Sequence, residues 1–137
     1  MPVYSNSTLM PNVLPGLAHR TLCGPEHGLK DLEIWSQSID AQAATPPHRH
    51  DCEEVVIVLE GAGTLAMSGE EMHFAAGDTV IIPRNEVHQI FNTGPSVLRL
   101  VAAFSMAPVR AEFADGTRID LPWQHAASAQ AKDGFHA

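Results

Sequence analysis

From Leu32 onward the chain alternates short apolar runs with polar, glycine-bearing breaks, the rhythm of strands and turns. The runs are "LEIWSQSI" (32–39), "EVVIVLEG" (54–61), "GTLAM" (63–67), "EMHFAA" (71–76), "DTVIIP" (78–83), "VHQIFN" (87–92) and "VLRLVAAF" (97–104). Between them stand "SGE", "AAGD" and "NTGPS", whose Gly, Asn, Asp and Pro content suits tight turns. No stretch sustains an apolar stripe at helical spacing over three turns, so the predicted class is all-β, built as a sandwich or barrel. The first thirty residues, rich in Pro, Gly and small polar side chains, show no sustained period and read as an arm or edge strand. Past Met106 the pattern loosens again, and the tail "AASAQAKDGFHA" is small and polar enough to fray.

Size and charge narrow the functions. At 137 residues the chain suits one domain. The expected division is an N-terminal arm over 1–30, a β-barrel domain over 31–110, and a C-terminal segment with a loose tail over 111–137. The net charge of -8, with only 8 Lys and Arg, argues against a phosphate-backbone or anionic-membrane partner, which would need clustered cations. The first twenty residues do not read as a signal peptide, and no apolar run reaches membrane-spanning length, so a cytoplasmic setting is expected. Cys23 and Cys52 are read as free thiols.

Chemistry concentrates in "TPPHRHDCEEVVIVLEGAG" (45–63). His48 and His50 are two apart, so on an extended strand both imidazoles face one side, and Glu54 follows four residues later. Downstream, "GDTVIIPRNEVHQIFN" (77–92) places one more imidazole, His88, at a strand start. Three neutral imidazoles and one carboxylate would leave a divalent ion with a net charge of about +1 and with coordination positions open to an anionic oxygen ligand. Mixed nitrogen and oxygen donors suit zinc first, with manganese, iron, nickel or copper as alternatives. His19, His27, His73, His125 and His136 have no partner at ligand spacing and are read as structural or surface histidines.

The two stretches resemble the paired motifs of the cupin superfamily, G-x5-H-x-H-x3,4-E-x6-G and G-x5-P-x-G-x2-H-x3-N. Gln42 stands where the first motif opens with glycine, and Asn85 replaces the middle glycine of the second; Asn is the non-glycine residue most tolerant of a left-handed turn. The resemblance implies a small antiparallel β-barrel, the double-stranded β-helix jelly roll of a single-domain cupin. It also implies metal ligation by His48, His50, Glu54 and His88.

"PGLAHRTLCGPEHGLKDLEIWSQSI", "TPPHRHDCEEVVIVLEGAGTL" and "PRNEVHQIFNTG" narrow the match, for they resemble the plant auxin-binding proteins in order and spacing. That resemblance implies a zinc-bound carboxylate of an indole acid in an apolar pocket. Trp35, Gln37, Thr45, Pro46 and Val56 would line it and Trp123 would cover the ring. Val56 stands where an aromatic residue is expected in the plant proteins. The function so implied is a metal-dependent binder of a small, aromatic or indolyl carboxylate. The alternative is a metal-dependent enzyme, a dioxygenase or a Lewis-acid isomerase, cyclase or decarboxylase, with Glu33, Gln37 and Cys52 the nearby groups for proton transfer. The apolar arm and strand edges need covering, so a homodimer is expected.

Overall fold

A computed structural model describes residues 2–124 of the chain. Its strands are β1 (Asn12–Leu14), β2 (Leu17–Cys23), β3 (Glu33–Ile39), β4 (His48–Arg49), β5 (Glu54–Glu60), β6 (Ala62–Met67), β7 (Glu70–Ala75), β8 (Thr79–Ile82), β9 (His88–Phe91), β10 (Leu98–Phe104) and β11 (Glu112–Phe113). They form a six-stranded sheet in the order β1-β2-β3-β10-β5-β8 and a five-stranded sheet in the order β11-β4-β9-β6-β7, with antiparallel pairing throughout. This is the expected jelly roll. Among the described residues the named helical elements are two 3-10 turns, Asn6–Thr8 and Pro25–His27.

The alternation read in the sequence is the alternation of burial. On β5, Glu54, Val56 and Val58 are buried while Val55 and Ile57 are exposed, and β10 repeats the pattern with Leu98, Leu100, Ala102 and Phe104 inward. Inward residues of both sheets meet in one core that includes Val56, Ile82 and Leu100 from one side and Leu65, Phe74 and Ile90 from the other. Each run predicted from Leu32 to Phe104 became a strand within a residue or two of its expected ends.

Strands β1 and β2 lie within the stretch read as an arm or edge strand, and they extend the larger sheet at one end. Val13 on β1 is exposed, His19 on β2 is buried and the rest are intermediate, so no sustained two-residue alternation marks them. The stretch past Met106 is better packed than its loose pattern suggested, since Val109, Ala111, Leu121 and Trp123 all join the core. The tail from residue 125 onward, with His125 and His136, lies outside the described residues.

Backbone geometry at the motif positions follows from their residue types. Gln42 and Asn85, the two that replace glycines, both take positive φ, 67° and 65°. Gly61 ends the first motif at φ 90°, and a Cβ there would meet the Val97 carbonyl oxygen at 2.6 Å. The left-handed turn at Asn85 has a use: its backbone N–H donates to the carbonyl of His50 at 2.8 Å, tying the second motif to the first.

Candidate metal centre and cavity

Four segments converge at one end of the core. His48 and His88 are direct cross-strand partners on β4 and β9 of the smaller sheet. His50 follows β4 directly, and Glu54 opens β5 in the larger sheet. One ring nitrogen from each of His48, His50 and His88 lies within 4.8 Å of the other two, so these three form a group able to hold a metal ion. Glu54 Oε1 stands 3.4 Å from His88 Nε2 and 3.6 Å from His50 Nε2.

The orientation of the imidazoles is fixed from behind. His48 Nδ1 lies 2.6 Å from the Pro46 carbonyl oxygen, His50 Nδ1 2.7 Å from that of Arg110, and His88 Nδ1 3.0 Å from that of Glu86. A carbonyl can only accept, so each Nδ1 carries the proton and each Nε2 is the nitrogen left for a ligand. Backbone carbonyls are common outer partners of metal-bound histidine, where they set both tautomer and ring angle.

Electrostatics at the centre is dominated by burial. Burial pushes His48 down to about 4, helped by the neighbouring His88 charge. It also lowers His50 against the pull of Glu54. Burial opposes charge on Glu54 and His88 as well, but their mutual attraction outweighs it, holding the carboxyl low and His88 high. Even so, the 3.4 Å gap between them is long for a hydrogen bond. Glu54 Oε1 and His88 Nε2 are both buried without a hydrogen-bond partner among the described residues. Orphaned buried polar atoms are rare and costly. A divalent cation placed among the Nε2 atoms would satisfy both, so the donor set fits a metal.

Against this centre opens a cavity of about 260 Å³. That is slightly below the ~300 Å³ at which pockets for drug-sized ligands begin, a size for one or two fused rings. Trp35, Gln37, Thr45, Pro46 and Trp123 all line it, together with His48, His50, Glu54 and His88. Val56 does not, which corrects the sequence reading: it is 0% exposed and belongs to the packed core, two residues along β5 from Glu54. Glu33 and Cys52 are also absent from the lining. The Glu33 carboxylate accepts the indole N–H of Trp35 and the backbone N–H of Val109, and burial raises its pKa. Burial likewise pushes the Cys52 thiol up to about 11, where it is a poor proton donor or nucleophile at neutral pH.

Sequence reasoning missed most of the apolar wall. Leu14 and Leu17 reach the cavity from the N-terminal strands, Ile90 and Leu100 from β9 and β10, and Ile119 and Leu121 from the C-terminal segment. These are ordinary aliphatic residues with no signal beyond hydrophobicity. Asp120 sits at the exposed rim. The remaining histidines are structural where described: His27 Nδ1 accepts from the Gly24 N–H, and His73 pairs with Thr64.

A family model described as "Auxin binding protein" matches residues 3–130. The chain belongs to the auxin-binding protein family. It is 37% identical over 123 residues to Auxin-binding protein 1 of Arabidopsis thaliana, covering 80% of this chain and 62% of that one. It is 39% identical over 107 residues to Auxin-binding protein T92 of Nicotiana tabacum, covering 69% and 57%. The auxin-binding family member thus spans only about 57–62% of the length of these relatives. Among solved structures it superposes on the polyketide cyclase RemF from Streptomyces resistomycificus with a TM-score of 0.70, 20% identity and 93% coverage of each chain. It matches an RmlC-like cupin from Shewanella frigidimarina with a TM-score of 0.69, 21% identity, and 79% and 93% coverage. At such identities these two likenesses establish the cupin fold alone.

Proposed function

We propose that this chain holds one divalent metal ion on His48, His50, Glu54 and His88 and binds a small aromatic or indolyl carboxylate against it. The observation that carries the proposal is the set of backbone carbonyls behind the three imidazoles, which leaves every Nε2 for a ligand, those of His50 and His88 beside the Glu54 carboxylate. When bound, the metal supplies a Lewis-acidic centre for the ligand's carboxylate, and zinc is the first candidate for this donor set. The chain's own residues do the rest. Thr45 Oγ1 accepts from the Ile90 N–H at 3.0 Å and keeps its own O–H for a carboxylate oxygen. Trp35 and the aliphatic wall take the ring, and Trp123 closes over it from the C-terminal segment. The names of the relatives support the same ligand class.

Binding is favoured over turnover because neither Glu33 nor Cys52 lines the cavity and no buried acid or base other than the proposed ligands lines it among the described residues. Calorimetry on zinc-loaded protein with indole-3-acetate, phenylacetate and benzoate tests the reading. Saturable heat that vanishes after chelation is expected; no heat with any of them would refute it.

A homodimer is the proposed assembly. On the outer face of the larger sheet, Val55, Ile57 and Leu59 of β5 and Ile81 of β8 are exposed side by side, with Val55 and Ile81 direct cross-strand partners. A contiguous apolar face of this kind marks an association surface. Light scattering that gives a monomer mass would refute the dimer. The free Cys23 and Cys52 suit a reducing compartment, and a cytoplasmic setting is proposed on that ground. No helix among the described residues is long and apolar enough to cross a membrane.

A further inference from the structure

His19 belongs neither to the cavity lining nor to the group around Glu54, yet it touches three of the residues that line the cavity. It is fully buried on β2, directly opposite Gln37 on β3. Its Nδ1 lies 2.9 Å from Gln37 Nε2, and its Nε2 lies 2.8 Å from Thr21 Oγ1. Its ring stacks on Trp123 with centroids 3.8 Å apart and planes 13° from parallel, and it meets Trp35 edge-on at 4.9 Å.

We propose that His19 is a positioning residue: it fixes the carboxamide of Gln37 and the indole plane of Trp123, and so sets the shape the cavity offers to a flat aromatic ligand. The proposal rests on the ligand class inferred above. The hydrogen bonds define the ring's state. A carboxamide nitrogen can only donate, so His19 Nδ1 accepts, and the single proton of the neutral ring sits on Nε2 and is donated to Thr21. A leucine or phenylalanine would fill the site without the cost of burying two ring nitrogens. What the histidine adds is the tie to Gln37, a residue whose side chain would otherwise have freedom to turn. The flat face adds the stack. Through these contacts one residue of the N-terminal strands links the middle of the wall to its C-terminal cover, and none of its nitrogens remains for a metal or a ligand.

The test uses the full zinc-loaded chain and two variants. His19→Phe keeps a flat ring and removes both hydrogen bonds; His19→Leu removes the stack as well. Indole-3-acetate should bind about fivefold more weakly to the first, the loss of roughly one net hydrogen bond. It should bind on the order of twentyfold more weakly to the second, with the ring contact gone too. Acetate, which reaches only the metal, should bind all three alike, and acrylamide quenching of the ligand-free tryptophans should rise in His19→Leu but not in His19→Phe. Unchanged indole-3-acetate affinity in both variants would overturn the proposal, as would a parallel loss of acetate.

Should wild-type protein take acetate but not indole-3-acetate, the ligand class fails by itself. The quenching then decides on His19, and unchanged quenching in His19→Leu refutes it. Should the variants not fold, nitrogen NMR of histidine-labelled native chain decides. A neutral His19 with its proton on Nε2 at pH 5 is expected, and a charged ring or the other tautomer refutes it.

Discussion

Two kinds of imidazole, three around Glu54 and one on β2, stand in this molecule, and they are wired in opposite ways. In His48, His50 and His88, each Nδ1 is tied to a backbone carbonyl, which leaves each Nε2 over, and the three rings bring a nitrogen each within 4.8 Å of one another. In His19 both nitrogens are tied to side chains and the ring face is covered by Trp123. Burial lowers the pKa of His19 and of His48 alike, so burial does not separate the groups. The second nitrogen does. Where it is left over, the imidazole is a donor to something outside the chain; where it is used, the imidazole is part of the frame.

The largest effect expected from breaking this contrast is on metal retention. His88→Ala should weaken zinc affinity by more than about 100-fold, beyond the 10–100-fold typical of losing an outer partner. His19→Phe should retain one equivalent per chain. Elemental analysis after dialysis checks both, and loss of zinc from the His19 variant would erase the distinction.

A smaller effect concerns pH. His19 titrates near 6.5 when unfolded and is pushed by burial down to about 3 when folded. Between those values the unfolded chain binds the extra proton, so stability falls as pH drops. From pH 7 to pH 5 the cost is about 2 kcal/mol. Urea unfolding at the two pH values should show that His19→Phe loses about that much less than wild type. Equal losses would mean His19 is not held neutral.

The smallest effects are in the backbone. Asn85→Ala should destabilise by about 1 kcal/mol, because alanine tolerates the left-handed turn less well than asparagine, and should disturb His50 but not His19. Gln42→Gly should stabilise by up to about 1 kcal/mol by relieving positive φ. Thermal melts of both variants measure this.

What could be read from the sequence followed the same line between local and non-local order. The strands from Leu32 to Phe104 were legible because one face of each is buried and the other is not, which writes a two-residue period into the chain. The metal-type residues were legible because donor spacing along β4 and the start of β5 is itself the geometry of the site. Strands β1 and β2, intermediate in burial everywhere but at Val13 and His19, leave no sustained period. The role of His19 was invisible because Trp35, Gln37 and Trp123 reach it from 16, 18 and 104 positions away, and nothing in "GLAHRTL" announces them. Val56 was misplaced for a related reason: its alternation fixes that it points inward, but not whether it meets the cavity or the packed core beside it.

The most direct measurement is a calorimetric titration of chelator-stripped wild-type protein with zinc, run in two buffers of different ionisation enthalpy. One site per chain is expected, with proton release, because a cation among the Nε2 atoms must displace any proton that Glu54 holds on His88. The absence of saturable uptake at one equivalent, or uptake that persists undiminished in His88→Ala, would contradict the metal centre on which the account rests.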